Sequence, residues 1–211
     1  EVVQDSRNRW YACITVKEYP TEPCGTGSVG IDLGLKDSAT ASNGDKLQIK
    51  QTQAWAKKLG VAQRAKNKQR VKAIHAKIKN TRQDLIHKFT TGLVKDNALI
   101  VVGDVKTTQF NRKKGKLAKS VYDAGWFELK RQLTYKCKHA GCRFEIVNEK
   151  YTTQTCSCCG DMSSSPKGRA GLRIREWTCA KCGTWHDRDI NASKNILAVG
   201  LDRLAVGIPS L

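Results

Sequence analysis

Four cysteines near the end of the chain have the type and spacing of a metal site. They form two Cys-x-x-Cys pairs separated by nineteen residues, Cys156 with Cys159 and Cys179 with Cys182. This pattern is typical of a zinc ribbon, in which two tight turns bring four thiolates to one tetrahedral ion. Gly160 and Gly183 follow the two pairs, where a tight turn requires positive φ. The sequence therefore predicts one structural zinc, whose saturated ligand set leaves no position for a catalytic water.

Two neighbouring residues are alternative zinc ligands. Cys158 lies inside the first pair and His186 follows the second, so either could replace one of the four thiolates. The other cysteines lack such spacing and are interpreted as small apolar residues; they are Cys13, Cys24, Cys137 and Cys142. The total of nine cysteines is odd, which favours metal binding over a set of disulfides.

Carboxylates are scarce in this chain, and four of them fall at informative positions. Asp32, Asp104 and Glu149 lie in or just after apolar, strand-like runs, and Asp189 begins the last predicted helix as its N-cap. Carboxylates that converge from separate elements are what a two-cation phosphodiesterase site requires, with ions about 3.5 to 4 Å apart. Any one of these acids alone would more often be structural.

The elements that must position these residues follow a mixed α/β order. In the first half we predict an extended segment at 9–16, a linker at 17–28, a strand from 29 and a hairpin over 38–49 turning at Asn43-Gly44. Helices follow over 53–95, broken at Leu59-Gly60, and then a buried strand at 98–102. The second half has a basic loop at 111–116, a helix at 119–139, a strand at 142–149 and a last helix at 190–204.

The charge of the chain indicates a polyanionic partner. There are 38 Lys and Arg against 19 Asp and Glu, a formal charge of +19. Within residues 57–95 the only acid among many basic residues is Asp84. Because helices of one charge sign repel themselves unless phosphates neutralise them, we expect nucleic-acid contact there. The candidate contact residues are Lys57, Lys58, Arg64, Lys66, Lys68, Arg70, Lys72, Lys77, Lys79 and Arg82.

Membrane segments and secretion signals are not apparent in the sequence. No apolar run approaches the ~20 residues of a membrane span, and the first residues do not resemble a secretory signal. We therefore expect a soluble, cytoplasmic protein.

Several motifs, in order, resemble the C-terminal half of the TnpB family. They are Gly30-Ile31-Asp32-Leu33-Gly34-Leu35, Asp123-Ala124-Gly125-Trp126, Tyr151-Thr152-Thr153-Gln154-Thr155-Cys156, the two cysteine pairs, and Asp187-Arg188-Asp189-Ile190-Asn191-Ala192. TnpB proteins, also called OrfB, are transposon-encoded relatives of the type V CRISPR nucleases. The resemblance covers nearly all of residues 29–200.

This resemblance implies both a fold and an activity. The fold would be α/β, an RNase H-like (RuvC) mixed sheet with helices, interrupted by a small zinc ribbon. The activity would be RNA-guided DNA cleavage with two Mg²⁺ ions, with DNA and guide RNA as partners. Asp32 matches the first catalytic aspartate of the family and Asp189 matches the last, and both would be magnesium ligands.

The middle catalytic acid departs from the family pattern. Members commonly have Glu-Asp-Leu after the central strand, whereas this chain has Gly103-Asp104-Val105. Glu149, at the end of the next strand, is our first candidate for the third catalytic and magnesium-binding acid, because glycine at 103 leaves room for a neighbouring carboxylate. Asp104 is the alternative, but consecutive strand residues point to opposite faces of a sheet. A dead nuclease site is the third possibility.

The resemblance also implies a domain organisation. Residues 1–28 would be the remnant of an N-terminal β-barrel domain and a linker, 29–150 the RuvC-like domain with its basic helical hairpin, 151–188 the zinc ribbon, and 189–211 the last helix and tail. Two functions compete: an RNA-guided nuclease in an N-terminally incomplete form, and a nuclease-inactive nucleic-acid-binding protein or repressor. A strand-joining transposase is a weaker alternative, since no tyrosine-nucleophile motif is present.

Overall fold

The computed structural model describes residues 1–5, 7–16, 22–49, 54–105, 120, 123–163, 165–167, 171 and 173–206. Its strands are β1 (Val2–Gln4), β2 (Trp10–Ala12), β3 (Gly27–Asp32), β4 (Ala39–Ala41), β5 (Lys46–Leu47), β6 (Asn97–Gly103), β7 (Arg143–Val147), β8 (Glu176–Thr178) and β9 (Trp185–Asp187). Its helices are α1 (Ala54–Arg64), α2 (Lys68–Asp96), α3 (Trp126–Ala140) and α4 (Arg188–Ala205).

A five-stranded mixed sheet in the order β5-β4-β3-β6-β7 forms the centre of the fold. The strands β3, β6 and β7 run parallel, whereas β4 and β5 are antiparallel to their neighbours. Ile100, Val101 and Val102 of β6 are fully buried, as expected for a central strand covered on both faces. The predicted mixed α/β order is confirmed, and so is the hairpin turn at Asn43-Gly44, where Gly44 has a φ of 97°.

Helices cover both faces of this sheet. On one face, Leu129 and Leu133 of α3 join Ile31 and Val102 in the larger apolar cluster, which α2 also lines. On the other face, Ile196 of α4 packs with residues of β6 and β7 in a smaller cluster. The result is a three-layer arrangement with the sheet in the middle.

Two glycines allow α4 to lie unusually close to the sheet. A Cβ atom on Gly30 would collide with the Ser193 carbonyl and the Leu197 amide of α4, and a Cβ atom on Gly200 would collide with Val101 of β6. Since only glycine avoids these collisions, the pair fixes α4 across the carboxyl end of β3. The first turn of α4 is thereby brought to the end of β3.

The predicted helix break at Leu59-Gly60 is wrong. The helix α1 runs through Gly60 to Arg64, and the break falls at 65–67, where Lys66 has a φ of 52° and the Asn67 side chain accepts from the Arg70 amide at 2.9 Å. An N-cap residue therefore sets the boundary, while a glycine inside a helix costs only about 1 kcal/mol and is tolerated.

Other predicted boundaries shift by a few residues. The strand expected at 142–149 ends at Val147, and the strand β3 begins at Gly27, inside the expected linker. The helix expected at 119–139 is helical at Ser120, Asp123 and Ala124, is interrupted at Gly125 and continues as α3. The extended segment at 9–16 is a strand only at Trp10–Ala12, paired with β1. The basic loop at 111–116 and residues 17–21 of the linker lie outside the described residues. Among the described residues, no helix is long and apolar enough to cross a membrane.

Candidate functional site

Asp32 is the last residue of β3 and lies buried at the carboxyl end of the parallel strands. Burial is the main reason that the pKa of Asp32 rises from 3.8 to about 7, and the negative charges of Asp189 and Glu149 raise it further. The guanidinium groups of Arg188 and Arg175 oppose that rise. Two of the predicted carboxylates therefore lie close enough to Asp32 to repel its charge.

Glu149 lies two residues beyond the end of β7, in the turn that follows the strand rather than in the strand as predicted. The sheet register places Gly103 of β6 beside Val147 of β7. A Cβ atom on Gly103 would lie 3.1 Å from Glu149 Oε2 and 3.3 Å from Glu149 Cβ. The Glu149 side chain thus lies against the space that a side chain at 103 would need, and burial raises the pKa of its carboxyl.

The Asp104 side chain points away from the other three carboxylates, toward α3. It is exposed, and it forms an ion pair with Lys130 of α3 at 3.1 Å, on the face of the sheet opposite α4. The Asp104 charge raises the pKa of Glu149, but among the described residues it is not one of the charges that shift the pKa of Asp32. The alternation of side chains along a strand explains this orientation, because Gly103 already faces α4.

Asp189 lies in the first turn of α4, and its predicted role as N-cap is wrong. The cap is Asp187, whose Oδ1 accepts from the amides of Asp189 and Ile190 at 2.9 and 3.0 Å. Because Asp187 caps the helix, the Asp189 carboxylate is left for other partners. Those partners are Arg175, which donates to both carboxylate oxygens at 2.9 and 3.1 Å, and Arg188 at 3.4 Å.

The structure therefore brings together Asp32, Glu149 and Asp189, which come from three separate elements, and turns Asp104 away. Among the described residues, the oxygens of these acids do not lie as close together as the four cysteine sulfurs do. Carboxylates are nevertheless the hard oxygen ligands that Mg²⁺ prefers. The chemistry of the donor set fits divalent cations.

The four predicted cysteines converge at the other site. The Sγ atoms of Cys156, Cys159, Cys179 and Cys182 lie within 4.8 Å of one another. The Cys156–Cys182 and Cys159–Cys179 Sγ separations are both 3.7 Å. With Zn–S bonds of about 2.3 Å, ligands of a tetrahedral zinc are separated by about 3.8 Å. Two of the six Sγ separations thus match those of a tetrahedral zinc site, and all six lie within 4.8 Å.

Both cysteine turns have the predicted backbone geometry. Gly160 and Gly183 have φ values of 76° and 71°, and their amides donate to the carbonyls of Cys156 and Cys179 at 2.9 and 2.8 Å. Among the described residues, the two alternative ligands do not join the set. Cys158 is exposed. His186 instead contacts Cys156 Sγ through Nε2 at 3.0 Å, as a residue that orients a ligand does.

The remaining cysteines and two of the tryptophans differ in their exposure. Cys137 and Cys142 are buried in the main apolar cluster, Cys24 packs against it, and Cys13 is exposed. Trp126 is buried and donates to the Ser38 carbonyl, whereas Trp185 is 59% exposed. The apolar packing expected of the four cysteines is thus found for Cys24, Cys137 and Cys142 and not for Cys13.

The basic residues of α1 and α2 are exposed with one exception. Nine of the ten predicted contact residues, all except Arg82, are classed as exposed. Arg82 is half-buried, and its guanidinium pairs with Asp123 at 3.0 Å. Arg82 is therefore engaged in packing α2 against the segment before α3, while the others are accessible to phosphates.

Two asparagines of α4 contribute to the site but were not singled out from the sequence. The Asn191 and Asn195 amides both donate to the carbonyls of Thr152 and Thr155, in the turn after Glu149. Their spacing of four residues, which places side chains on one face of a helix, is the signal that could have found them. Arg175 had no such signal, since it reaches Asp189 only through the folded ribbon.

Comparison with known families gives two matches that together cover most of the chain. Residues 11–114 match the OrfB_IS605 family, described as a probable transposase, and residues 126–196 match the Cas12f1-like TNB domain.

Two curated relatives are similar over nearly the whole chain. A putative RNA-guided DNA endonuclease of Streptomyces pristinaespiralis is 36% identical over 98% of this chain and 54% of its own length. The putative RNA-guided DNA endonuclease InsQ of Escherichia coli K12 is 31% identical over 97% of this chain and 57% of its own length. The chain thus spans little more than half the length of these relatives.

A solved structure shares the fold. A CRISPR-Cas12f ternary complex determined by cryo-EM superposes with a TM-score of 0.60 at 19% identity, covering 85% of this chain and 40% of that one. The expected α/β fold of the RuvC type, with a cysteine cluster inserted before the last helix, is confirmed by this likeness and by the sheet topology.

Proposed function

This chain belongs to the TnpB/OrfB family, and we propose that it forms the nuclease part of an RNA-guided DNA endonuclease. In this proposal residues 29–150 and 189–211 form the RuvC-like nuclease domain, 151–188 form the zinc ribbon, and 1–28 connect to an N-terminal barrel domain. The names of the two curated relatives support this assignment.

One observation carries the proposal. Asp32 is buried at the end of β3, and the Glu149 side chain lies beside Gly103 at the end of the adjacent strand β6. Burial, together with the negative charges of Asp189 and Glu149, raises the pKa of Asp32 to about 7. The guanidinium groups of Arg188 and Arg175 offset only part of this rise, and bound cations would offset more of it. A cluster that raises an aspartate pKa at the carboxyl end of parallel strands is therefore expected at a functional site.

The residues have distinct roles in this proposal. Two magnesium ions, when bound, activate a water and stabilise the leaving oxygen of a phosphodiester. Asp32, Glu149 and Asp189 hold the cations with carboxylate oxygens from three elements. Gly103 supplies space for Glu149, which replaces the glutamate that family members carry at that position. Asp104 stays paired with Lys130 and is not a cation ligand in this proposal.

The ribbon and the basic helices complete the proposal. Cys156, Cys159, Cys179 and Cys182 hold one structural zinc per chain. The exposed lysines and arginines of α1 and α2 contact backbone phosphates of guide RNA and target DNA, which gives affinity without reading the sequence.

A cleavage assay in the full-length context with guide RNA tests this function. We expect Mg²⁺-dependent cleavage of target DNA by the wild type, and loss of cleavage with retained DNA binding for Asp32→Ala. Wild-type protein that binds DNA but never cleaves it in Mg²⁺ or Mn²⁺ would overturn the nuclease assignment and establish a nuclease-inactive, nucleic-acid-binding protein instead. The absent acid at 103 is the observation that favours this second candidate.

A further inference from the structure

The zinc ribbon is inserted between two of the three clustered acids, and the spacing is the same on both sides. Glu149 precedes the first zinc ligand, Cys156, by seven residues, and Asp189 follows the last, Cys182, by seven residues. The two short stems of the ribbon are therefore also the segments that carry two carboxylates of the nuclease site.

The first stem is a tight turn fastened to Glu149. The amide and hydroxyl of Thr152 donate to the Glu149 carbonyl at 3.2 and 2.8 Å. Tyr151, between them, has a φ of 67°, a conformation that residues other than glycine adopt only when their surroundings impose it. Its carbonyl accepts from the amides of Gln154 and Thr155, both at 2.9 Å.

The second stem holds the first through two side-chain amides of α4. Asn195 Nδ2 donates to the carbonyls of Thr152 and Thr155 at 2.8 and 2.7 Å, and Asn191 Nδ2 donates to the same two carbonyls at 3.3 and 2.8 Å. Both asparagines are thus clamps between the turn after Glu149 and the helix that begins at Asp189.

Asn191 makes one contact that Asn195 does not. Its Oδ1 accepts from the amide of Ser157 at 2.8 Å, and Ser157 lies inside the first cysteine turn, directly after Cys156. Asn191 is 1% exposed, so its amide has no competing water. One buried side chain therefore contacts the zinc turn, the Glu149 turn and the Asp189 helix at once.

We propose that Asn191 is a positioning residue through which the zinc-closed ribbon sets the separation of the Glu149 and Asp189 carboxylates. The inference rests on the proposed function, because it assigns to those carboxylates the binding of divalent cations. It makes zinc loading of the ribbon a determinant of cation affinity at the nuclease site, although zinc itself takes no part in the chemistry.

Mn²⁺ titration of the zinc-loaded protein by calorimetry tests the proposal without relying on activity. Asn191→Ala is expected to weaken Mn²⁺ binding about tenfold or more, as loss of a residue that orients metal ligands does. Asn195→Ala is the matched control, since it releases one clamp on the same carbonyls but leaves the Ser157 contact. Its effect should be clearly smaller, and zinc content should stay at one per chain in both variants.

A double-mutant cycle isolates the coupling to zinc. Cys179→Ser, which lacks a zinc ligand, should weaken Mn²⁺ binding several-fold more in the wild-type background than in the Asn191→Ala background, where the Arg175–Asp189 contact still links the ribbon to the acids. Equal effects of Cys179→Ser in both backgrounds would overturn the proposal. Where Cys179→Ser does not fold, Ser157→Pro removes the same hydrogen bond from the zinc turn, and wild-type Mn²⁺ affinity in both Ser157→Pro and Asn191→Ala would overturn it.

The Asp32→Ala variant distinguishes failure of this inference from failure of the proposed function. Loss of Mn²⁺ binding in Asp32→Ala with unchanged binding in Asn191→Ala would remove the positioning role and leave the nuclease site. Mn²⁺ binding that does not depend on Asp32 would instead remove the cation site itself, and with it the proposed function.

Discussion

The ribbon and the carboxylate cluster are the two proposed metal sites, and they are built in opposite ways. The four cysteines lie in two tight turns whose own backbone hydrogen bonds shape them, and two pairs of their sulfurs have separations of 3.7 Å. The three acids come from β3, the turn after β7 and the first turn of α4, and the charges of Glu149 and Asp189 raise the pKa of Asp32. The ribbon is thus a closed local site, whereas the acid cluster exists only when the sheet and α4 are assembled.

This difference predicts different roles for the two metals. In a saturated thiolate site, the free energy of metal binding stabilises the folded state. In the acid cluster, the folded state holds negative charges near one another. This lowers the stability of the fold when no cation is bound. Removing each metal should therefore act on stability in the ribbon and on chemistry in the cluster.

The largest effect is expected at the ribbon. Cys179→Ser should lower zinc content from about one per chain to near zero and unfold residues around 156–187, because zinc binding contributes on the order of 10 kcal/mol to such small sites. The measurement is metal analysis together with amide exchange of the ribbon. Cys158→Ser is the control, since Cys158 is exposed and outside the cluster. Full exchange protection in zinc-free Cys179→Ser would show that the ribbon does not depend on metal.

The next effect concerns Asp32 and pH. Its pKa in the folded protein is about 7, against 3.8 ordinarily, so the folded state holds this proton more tightly than the unfolded state. The charge on Asp32 therefore costs nothing below about pH 4, and its cost grows up to pH 7 and stays constant above it. A shift of about three pKa units corresponds to at most roughly 4 kcal/mol.

Asp32→Asn should consequently raise the free energy of unfolding relative to the wild type at pH 8, and much less at pH 5. Urea denaturation of both proteins without divalent cations measures this difference. Addition of Mg²⁺ should stabilise the wild type and not the variant. A variant that is less stable than the wild type at pH 8 would show that Asp32 does not carry a destabilising charge.

A smaller effect is expected on the basic helices, which belong to neither metal site. Charge reversal of Lys68, Arg70 and Lys72, all exposed, should reduce the slope of log K against log salt for nucleic-acid binding by about three units. Reversal of Lys138, Lys181 and Lys194 is the matched control, with the same change in net charge on other exposed surfaces. Equal slopes for the two triple variants would assign the first three side chains to solvent.

The contrast between the two sites also explains what the sequence could predict. The convergence of the four cysteines followed from spacing alone, because their separation in space is set by turns of a few residues. The acids followed only in part. Asp32 and Asp189 were identified through a family resemblance, yet the cap of α4 was assigned to Asp189 because an N-cap role is a local signal that Asp187 satisfies equally well.

Long-range contacts were beyond sequence reasoning. The pairing of Arg175 with Asp189 and the contact of Asn191 with Ser157 depend on how the ribbon folds back on α4. The predicted break at Gly60 was wrong for the opposite reason, since a local helix-breaking tendency was outweighed by the cap at Asn67.

The central claim is that Glu149 supplies the third acid because Gly103 leaves it room, and an exchange of the two positions tests it most directly. In the full-length context with guide RNA, Glu149→Ala should abolish Mg²⁺-dependent cleavage with binding retained, whereas Asp104→Ala should do less. Gly103→Glu added to Glu149→Ala should restore part of the cleavage, since it fills the vacated space, while Gly103→Glu alone should impair it by crowding Glu149 and Ile196. Normal cleavage by Glu149→Ala together with loss of cleavage in Asp104→Ala would contradict the claim.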